Sequence, residues 1–121
     1  MVEFPLPDLL DKISILQLKV ERIKEESCKQ ELDYLMKELP DYGFPEAEEY
    51  INRLRSVNDR IWTMESDIRM GREKELGLEE VGRRALGIRN LNKFRIRIKN
   101  EIVEKTNKGY KDVKINHGSC E

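Results

Sequence analysis

The sequence is short of the side chains on which most metal and redox sites depend. Its 121 residues include two cysteines, Cys28 and Cys120, and a single histidine, His117. Two widely separated thiols form neither a disulfide framework nor a zinc ligand set. One histidine in a tail gives neither a histidine-based metal site nor a catalytic dyad. We therefore expect no metal, no cofactor and two unpaired, reduced thiols.

Long apolar runs are also missing. The longest uninterrupted apolar runs are two or three residues, such as Leu9-Leu10. A membrane-spanning helix needs about 20 consecutive apolar residues. The first residues, MVEFPLPDLLDK, lack the basic region followed by an apolar core that marks a secretory signal. The sequence therefore predicts a cytoplasmic protein that does not use a membrane as its partner.

The common enzyme motifs are absent as well. The chain has no G-x-x-x-x-G-K-[ST] loop, no G-x-G-x-x-G fingerprint and no serine in a nucleophile elbow, and Gly71 and Gly77 are isolated. Phosphate-loop, dinucleotide-binding and hydrolase chemistries therefore lack the backbone they require. No catalytic residue is predicted, and whether the protein is an enzyme stays open.

Charge is plentiful and unevenly distributed. Residues 1–80 contain 12 Lys and Arg against 20 Asp and Glu, a formal charge of −8, while residues 81–121 contain 11 against 4, a charge of +7. The formal charge of −1 for the whole chain hides this division. A basic last third can lie against acidic helices of its own fold or present cations to an anionic partner.

The apolar residues recur at helical spacing. Leu9, Ile13, Leu16, Val20 and Ile23 follow one another by four or three residues, which predicts a helix from about Asp8. The spacing then jumps by five to Cys28 before it resumes to Leu39. This first helix is therefore bent or broken near Ser27, and we take it as one bent helix.

Two further helices and a tail complete the predicted fold. Pro45 suits the first turn of helix two, which continues to about Ile68, and helix three runs from Leu78 or Glu79 to about Thr106. An extended tail over residues 110–116 packs on the helices. The sequence thus predicts an all-α, three-helix antiparallel bundle that forms a single domain over residues 1–121. The apolar stripe of helix three is predicted to comprise Val81, Ala85, Ile88, Leu91, Phe94, Ile98 and Ile102.

The candidate site residues lie on helices two and three. Arginine is suited to anions because its planar guanidinium forms bidentate hydrogen bonds to carboxylates and phosphates. The predicted anion-binding set is Arg84, Arg89, Arg95 and Lys99. A polar network between the helices is predicted from Asn58, Glu65, Asp67, Arg69 and Asn92, with the Asn58 amide bonded to backbone or to Asn90 or Asn92. Trp62 is expected to anchor the core.

Three functions remain open at this stage. The leading one is a non-catalytic helical binding or interaction module, homodimeric, that recognises an anionic, phosphate-bearing ligand. The second is an enzyme acting on a phosphorylated or sugar-nucleotide substrate, with Glu65 or Asp67 as base and Arg84, Arg95 and Lys99 as anion clamp. The third is weak nucleic-acid binding through the basic third helix, which the acidic first two thirds would oppose.

Four runs of the sequence resemble one known family. They are LLDKISILQLKVERI, SVNDRIWTMESDIR, RRALGIRNLNKFRIRIKNEI and GYKDVKINH, and together they cover the chain from about Leu9 to His117. The family comprises small all-helical bacterial and phage proteins, found alongside or fused to glycosyltransferase-type and surface-polysaccharide proteins, and has no established activity. The resemblance implies patterned positions at Asp11, Lys12, Asn58, Trp62, Glu65, Asp67, Arg69, Arg84, Asn92, Arg95 and Lys99. The segment GRRALGI is more basic than in that family, which weakens any shared site at Arg83.

Overall fold

The structure, a computed structural model, describes residues 2–69, 73–107 and 113–115. Within them the chain forms four α-helices, one 3-10 turn and two short strands. In chain order these are β1 (Val2–Phe4), α1 (Leu6–Arg22), α2 (Glu26–Glu38), the 3-10 turn (Leu39–Tyr42), α3 (Ala47–Arg69), α4 (Glu73–Thr106) and β2 (Val113–Ile115). The all-α class is confirmed, but the described residues form four helices rather than three.

The additional helix arises because the first predicted helix is broken rather than bent. Lys24 has φ 61°, a left-handed conformation that a helix does not continue through. The break falls within the five-residue jump in apolar spacing between Ile23 and Cys28. In one straight helix, the apolar residues before and after this jump would point to different sides. Because α1 and α2 are separate helices, the apolar residues of both can face the core.

The central helix of the fold is α1, which packs against α2, α3 and α4. Its side chains Leu9, Leu10, Ile13 and Leu16 are completely buried, and burial of each stabilises the fold by roughly 1.5–3 kcal/mol. Ile23, the last residue of the predicted stripe, is 47% exposed because α1 has already ended. The helix α1 also buries two polar side chains, Asp11 and Ser14, among these apolar residues.

The helices α3 and α4 run antiparallel. Tyr50 near the start of α3 contacts Glu101 near the end of α4, and Asp67 near the end of α3 contacts Arg84. Gly77 interrupts α4 with φ 79° and ψ 159°, in backbone space that is essentially restricted to glycine. The long run of α4 therefore begins at Leu78, where the sequence predicts helix three to begin.

The predicted tail lies only partly within the described residues. Val113–Ile115 is extended, and it pairs antiparallel with β1 in the register Val2↔Ile115, Glu3↔Lys114 and Phe4↔Val113. Residues 108–112 and 116–121 lie outside the described part, so the docking of the tail elsewhere stays a prediction. In the described part, β1 and β2 form the one sheet.

The structure also bears on the expectations about the cysteines and about membrane-spanning helices. Cys28 is disulfide-bonded, so the expectation of an unpaired thiol is wrong at this position; Cys120 lies outside the described residues. Among the described helices, none combines the length and the apolar character that a membrane span requires.

Candidate functional site

A buried polar network joins α1 to α3. Asp11 and Ser14 of α1 and Asn58 of α3 are each less than a tenth exposed. Nδ2 of Asn58 donates to Oδ1 of Asp11 and to Oγ of Ser14, both at 2.9 Å, and Oγ of Ser14 donates to the Asp11 backbone carbonyl at 2.7 Å. A carboxylate only accepts hydrogen bonds, so the Asn58 amide has one permitted orientation. Both of its hydrogens are engaged, by Asp11 and Ser14 rather than by the predicted Asn90 or Asn92.

Arg95 extends the network to α4. Its Nε donates to Oδ1 and Oδ2 of Asp11 at 3.0 and 3.1 Å, and a terminal nitrogen also donates to Oδ2. These hydrogen bonds to Asp11 are the main reason that the pKa of the Arg95 guanidinium is raised. The side chain of Asp11 is 7% exposed and that of Arg95 31%. Charge-assisted bonds of this kind are about twice as strong as neutral ones, so the pair firmly links α1 to α4.

Arg95 occupies a position in the core-facing stripe of α4. The buried residues Leu91, Ile98 and Ile102 leave a gap that Arg95 fills at alternating four- and three-residue spacing. The stripe predicted from the sequence instead includes Ala85 and Phe94, which are exposed, Phe94 by 52%. That part of the prediction is wrong because a search for apolar residues at helical spacing leaves out arginine. Arg95 nevertheless faces the core, since the buried carboxylate of Asp11 balances its charge.

A cleft of about 190 Å³ opens beside the network. Three of the five residues predicted as the polar network, Asn58, Glu65 and Asn92, meet at this cleft. Asp67 does not, since it pairs with Arg84, and the side chain of Arg69 lies outside the described part. The cleft is lined by Ile15, Leu18, Asn58, Ile61, Trp62, Glu65, Asn92 and Arg95.

Trp62 forms one wall of this cleft and is only half-buried. The guanidinium carbon of Arg22 lies 5.4 Å from its ring centroid, within cation–π range. Arg22 in turn pairs with Asp59. The expectation that Trp62 is a core anchor therefore needs correction, because the ring lies at the edge of the core, where the cleft begins.

Three of the four cations predicted to bind an anion already have carboxylate partners. Arg84 pairs with Asp67 at 2.6 Å and with Glu80 at 3.3 Å, Arg95 pairs with Asp11, and Lys99 pairs with Asp8 at 2.7 Å. The fourth, Arg89, is exposed and has no carboxylate partner in the described part of the chain. The predicted residues thus do not converge on one anion site.

Arg89 instead belongs to an exposed row of cations, which we name the cationic ridge: Arg89, Lys93 and Arg97. These residues are four apart on α4, so they lie about 6 Å apart along the helix and within roughly 80° of one another. Each is exposed, and none has a carboxylate partner among residues 2–69, 73–107 and 113–115. Arg97 lies over the exposed ring of Phe94 at 5.2 Å. The remaining cations between Arg83 and Lys99 are all ion-paired.

A second ionic cluster fastens the start of α3 to the end of α4. Glu101 accepts hydrogen bonds from the terminal nitrogens of Arg53 at 2.8 and 3.3 Å and from the Tyr50 hydroxyl at 3.2 Å. The bond from Arg53 lowers the pKa of Glu101 and raises that of Arg53, while burial raises the pKa of Tyr50. These groups bond to one another, so their arrangement is structural.

A larger groove, about 790 Å³, lies away from the residues predicted to carry function. Its walls come from α1, α2, the 3-10 turn and the start of α3, and they include Met36, Leu39, Phe44 and Ile51. Gln17 also lines it, and its Oε1 is buried without a hydrogen-bond partner. None of the predicted site residues is among the described residues that line this groove.

Within the described residues, no group of three His, Cys, Asp or Glu is placed to hold a metal ion. Comparison of the chain with protein-family models, with curated proteins and with solved structures finds no match. The family resemblance of the sequence therefore stays a prediction, and any functional inference depends on the geometry of the chain itself.

Proposed function

We propose that the protein is a non-catalytic helical interaction module that binds an anionic partner on the outer face of α4. The observation that carries the proposal is the cationic ridge of Arg89, Lys93 and Arg97, which is exposed and lacks carboxylate partners in the described chain. Like charges four residues apart destabilise a helix by about 0.2–0.5 kcal/mol per pair. An anion bound along the ridge would relieve that repulsion.

The apolar side chains around the ridge favour a protein partner. Leu86, Phe94 and Ile96 on the same helix are 59%, 52% and 58% exposed. Protein interfaces combine apolar and aromatic side chains with arginine, whereas nucleic-acid interfaces are more polar. The partner we propose therefore presents carboxylates beside apolar residues.

A second copy of the chain has a surface of this chemistry. Residues 1–80 carry a formal charge of −8 against +7 for the remainder, so the acidic part of one copy complements the ridge of another. Homo-oligomerisation thus forms part of the proposal. Because the attraction is between exposed charges, it should weaken as added salt shortens the Debye length from about 10 Å at 0.1 M to about 3 Å at 1 M.

Sedimentation velocity at micromolar concentration tests the proposal. Wild-type protein should associate at low salt and dissociate at about 1 M salt, where screening is nearly complete. The triple variant Arg89→Glu, Lys93→Glu, Arg97→Glu should be monomeric at both. A matched control, Lys24→Glu, Lys29→Glu, Lys37→Glu, changes the net charge equally at exposed positions of the acidic part and should not abolish association.

If wild-type protein is monomeric at low salt, self-association is refuted. Titration with poly-L-glutamate and with a single-stranded oligothymidylate then distinguishes the remaining anionic partners. Binding of poly-L-glutamate that the ridge variant loses supports a protein partner. Binding of the oligonucleotide alone supports the nucleic-acid alternative, and binding of neither refutes the proposal.

The enzyme alternative receives less support from the geometry. Its predicted anion clamp of Arg84, Arg95 and Lys99 is ion-paired within the chain, so a phosphorylated or sugar-nucleotide substrate would have to displace three carboxylates. A small phosphate-bearing ligand held by the same side chains faces the same obstacle. The cytoplasmic location predicted from the sequence stays a proposal, and the disulfide bond of Cys28 argues against it, because disulfides are rare in the reducing cytosol.

A further inference from the structure

We infer that the cleft between α1, α3 and α4 binds a small, uncharged molecule that presents both hydrogen-bond donors and acceptors. The cleft shares no residue with the cationic ridge, so this inference is independent of the partner proposed for that face. It depends on which polar atoms around the cleft are already engaged and which are not.

The charged groups at the cleft are engaged within the protein. Arg95 forms its hydrogen bonds with Asp11, and the negative charge of Glu65 further stabilises the Arg95 cation. Glu65 itself has an interaction partner. Among the described residues that line the cleft, no cation is therefore unbalanced, and an anion would gain nothing there that water does not already provide.

Three uncharged polar side chains at the cleft, those of Asn58, Trp62 and Asn92, have groups available to bind a ligand. The side chains of Asn92 and Trp62 form no hydrogen bond within the described residues. The Asn58 amide has given both hydrogens to Asp11 and Ser14, so its carbonyl oxygen is the group it has left. The cleft thus offers an acceptor from Asn58, a donor from the Trp62 indole and both from the Asn92 amide.

The fixed position of Asn58 favours binding. Its amide is held by two buried partners, so its carbonyl oxygen is oriented before any ligand arrives and little conformational entropy is lost on binding. Ile15, Leu18 and Ile61 supply apolar walls. At about 190 Å³ the cleft is smaller than the roughly 300–1,000 Å³ of sites for drug-sized ligands. A single ring or a short chain fits this description, and polyols and primary amides both carry the required groups.

Trp62 provides the test, because it is the one tryptophan in the chain. In a ¹H–¹⁵N correlation spectrum its indole N–H gives a single side-chain signal. We expect that signal to shift saturably when myo-inositol or acetamide is added. The response to each probe shows whether the cleft binds a polyol or a primary amide. Sodium phosphate at matched ionic strength should leave it in place.

Variants of one helix make the test specific. Asn92→Leu removes the amide with little change in size and should weaken binding at least tenfold. Asn90→Leu, the same change at an exposed position of α4, should leave binding unchanged. If Asn92→Leu does not fold, Asn92→Ala takes its place with the same expectation. A shift that never saturates, or one that is equal in wild type and the Asn92 variant, means that the cleft holds only water and overturns the inference.

Discussion

Asp11 is the residue on which the junction of three helices depends. Its carboxylate accepts hydrogen bonds from Asn58 of α3 and from Arg95 of α4, and it is almost wholly withdrawn from water. A buried charge is tolerated when its oxygens are satisfied, and breaking such a pair from one side leaves the other charge unbalanced. Asn58 and Arg95 both depend on this one carboxylate.

Asp11→Asn keeps the shape of the side chain but removes the charge that balances Arg95. It also turns an amide group towards the Asn58 donor or the Arg95 guanidinium. We expect the free energy of unfolding to fall by about 3 kcal/mol, measured by urea denaturation. The control is Asp8→Asn, which breaks the more exposed pair with Lys99 and should cost less than about 1 kcal/mol. Equal losses in the two variants would contradict a special role for the buried pair.

At the scale of the element, α4 contains two exposed glycines with opposite requirements. Gly77 has φ 79° at the kink, whereas Gly82 lies in the regular helix, and a Cβ at either position would meet no atom within 4 Å. Space is therefore equal at the two sites, and backbone conformation is the difference. Gly77 forms the kink that precedes the long run of α4.

Gly77→Ala should destabilise the protein by about 1–3 kcal/mol, because alanine does not tolerate that backbone region. Gly82→Ala should stabilise it by about 0.4–1 kcal/mol, because alanine has less conformational entropy to lose in a helix. Thermal and urea unfolding of the two variants check both signs. The same sign for both substitutions would show that the backbone at Gly77 does not carry this constraint.

The helices of this chain were predictable where apolar spacing is regular. The four- and three-residue steps of α3 from Tyr50 to Ile68 correspond to a helix at Ala47–Arg69. The break after α1 was harder, because the five-residue jump to Cys28 is compatible with either a bend or a separate helix. Lys24, a residue without a special preference for the left-handed conformation, gives no local signal of the break.

The candidate site was less predictable than the fold. Asn58, Glu65 and Asn92 were predicted as a polar network from the sequence, whereas Asp11 was named only as a patterned position of the family that the sequence resembles. Neither Asp11 nor Ser14 was predicted as a buried partner of Asn58. Asp11 lies beside the apolar stripe of α1, where a carboxylate is expected to face solvent unless the partner helix is known. The signal that could have found the junction is Arg95, at helical spacing between Leu91 and Ile98. An arginine in a buried stripe requires a carboxylate opposite it.

At the scale of the whole molecule, ion pairs among the described residues resolve part of the opposition between the −8 of residues 1–80 and the +7 of residues 81–121. Ion pairs from Asp8, Asp11 and Asp67 connect the acidic part to α4. Among the described cations of residues 81–107, the cationic ridge and Lys105, which lies over the Tyr50 ring, have no carboxylate partner. The ion-paired cations of α4 stabilise the fold, whereas the exposed cations of the ridge are proposed to bind a partner. One substitution in the ridge can therefore raise the stability of the fold and weaken association.

Lys93→Glu is expected to affect stability and association in opposite directions. It replaces two repulsive pairs, with Arg89 and Arg97, by two attractive pairs at four-residue spacing, so the free energy of unfolding should rise by about 1 kcal/mol at low salt. The same variant should associate more weakly by sedimentation, because the ridge loses its centre. The gain in stability should shrink at high salt. A variant that is both more stable and equally associated would exclude the ridge from the interface.

The pairing of Asp11 with Arg95 also has a consequence for synthesis on the ribosome. The two residues are 84 positions apart, so at about 5–20 residues per second the carboxylate waits roughly 4–17 s for its counter-charge to be made. During that interval α1 exists without α4, and the side chains it will bury are exposed to other nascent chains. The first α-helix to be made is thus the last to be enclosed, because the final turns of α4 complete the helical core around it.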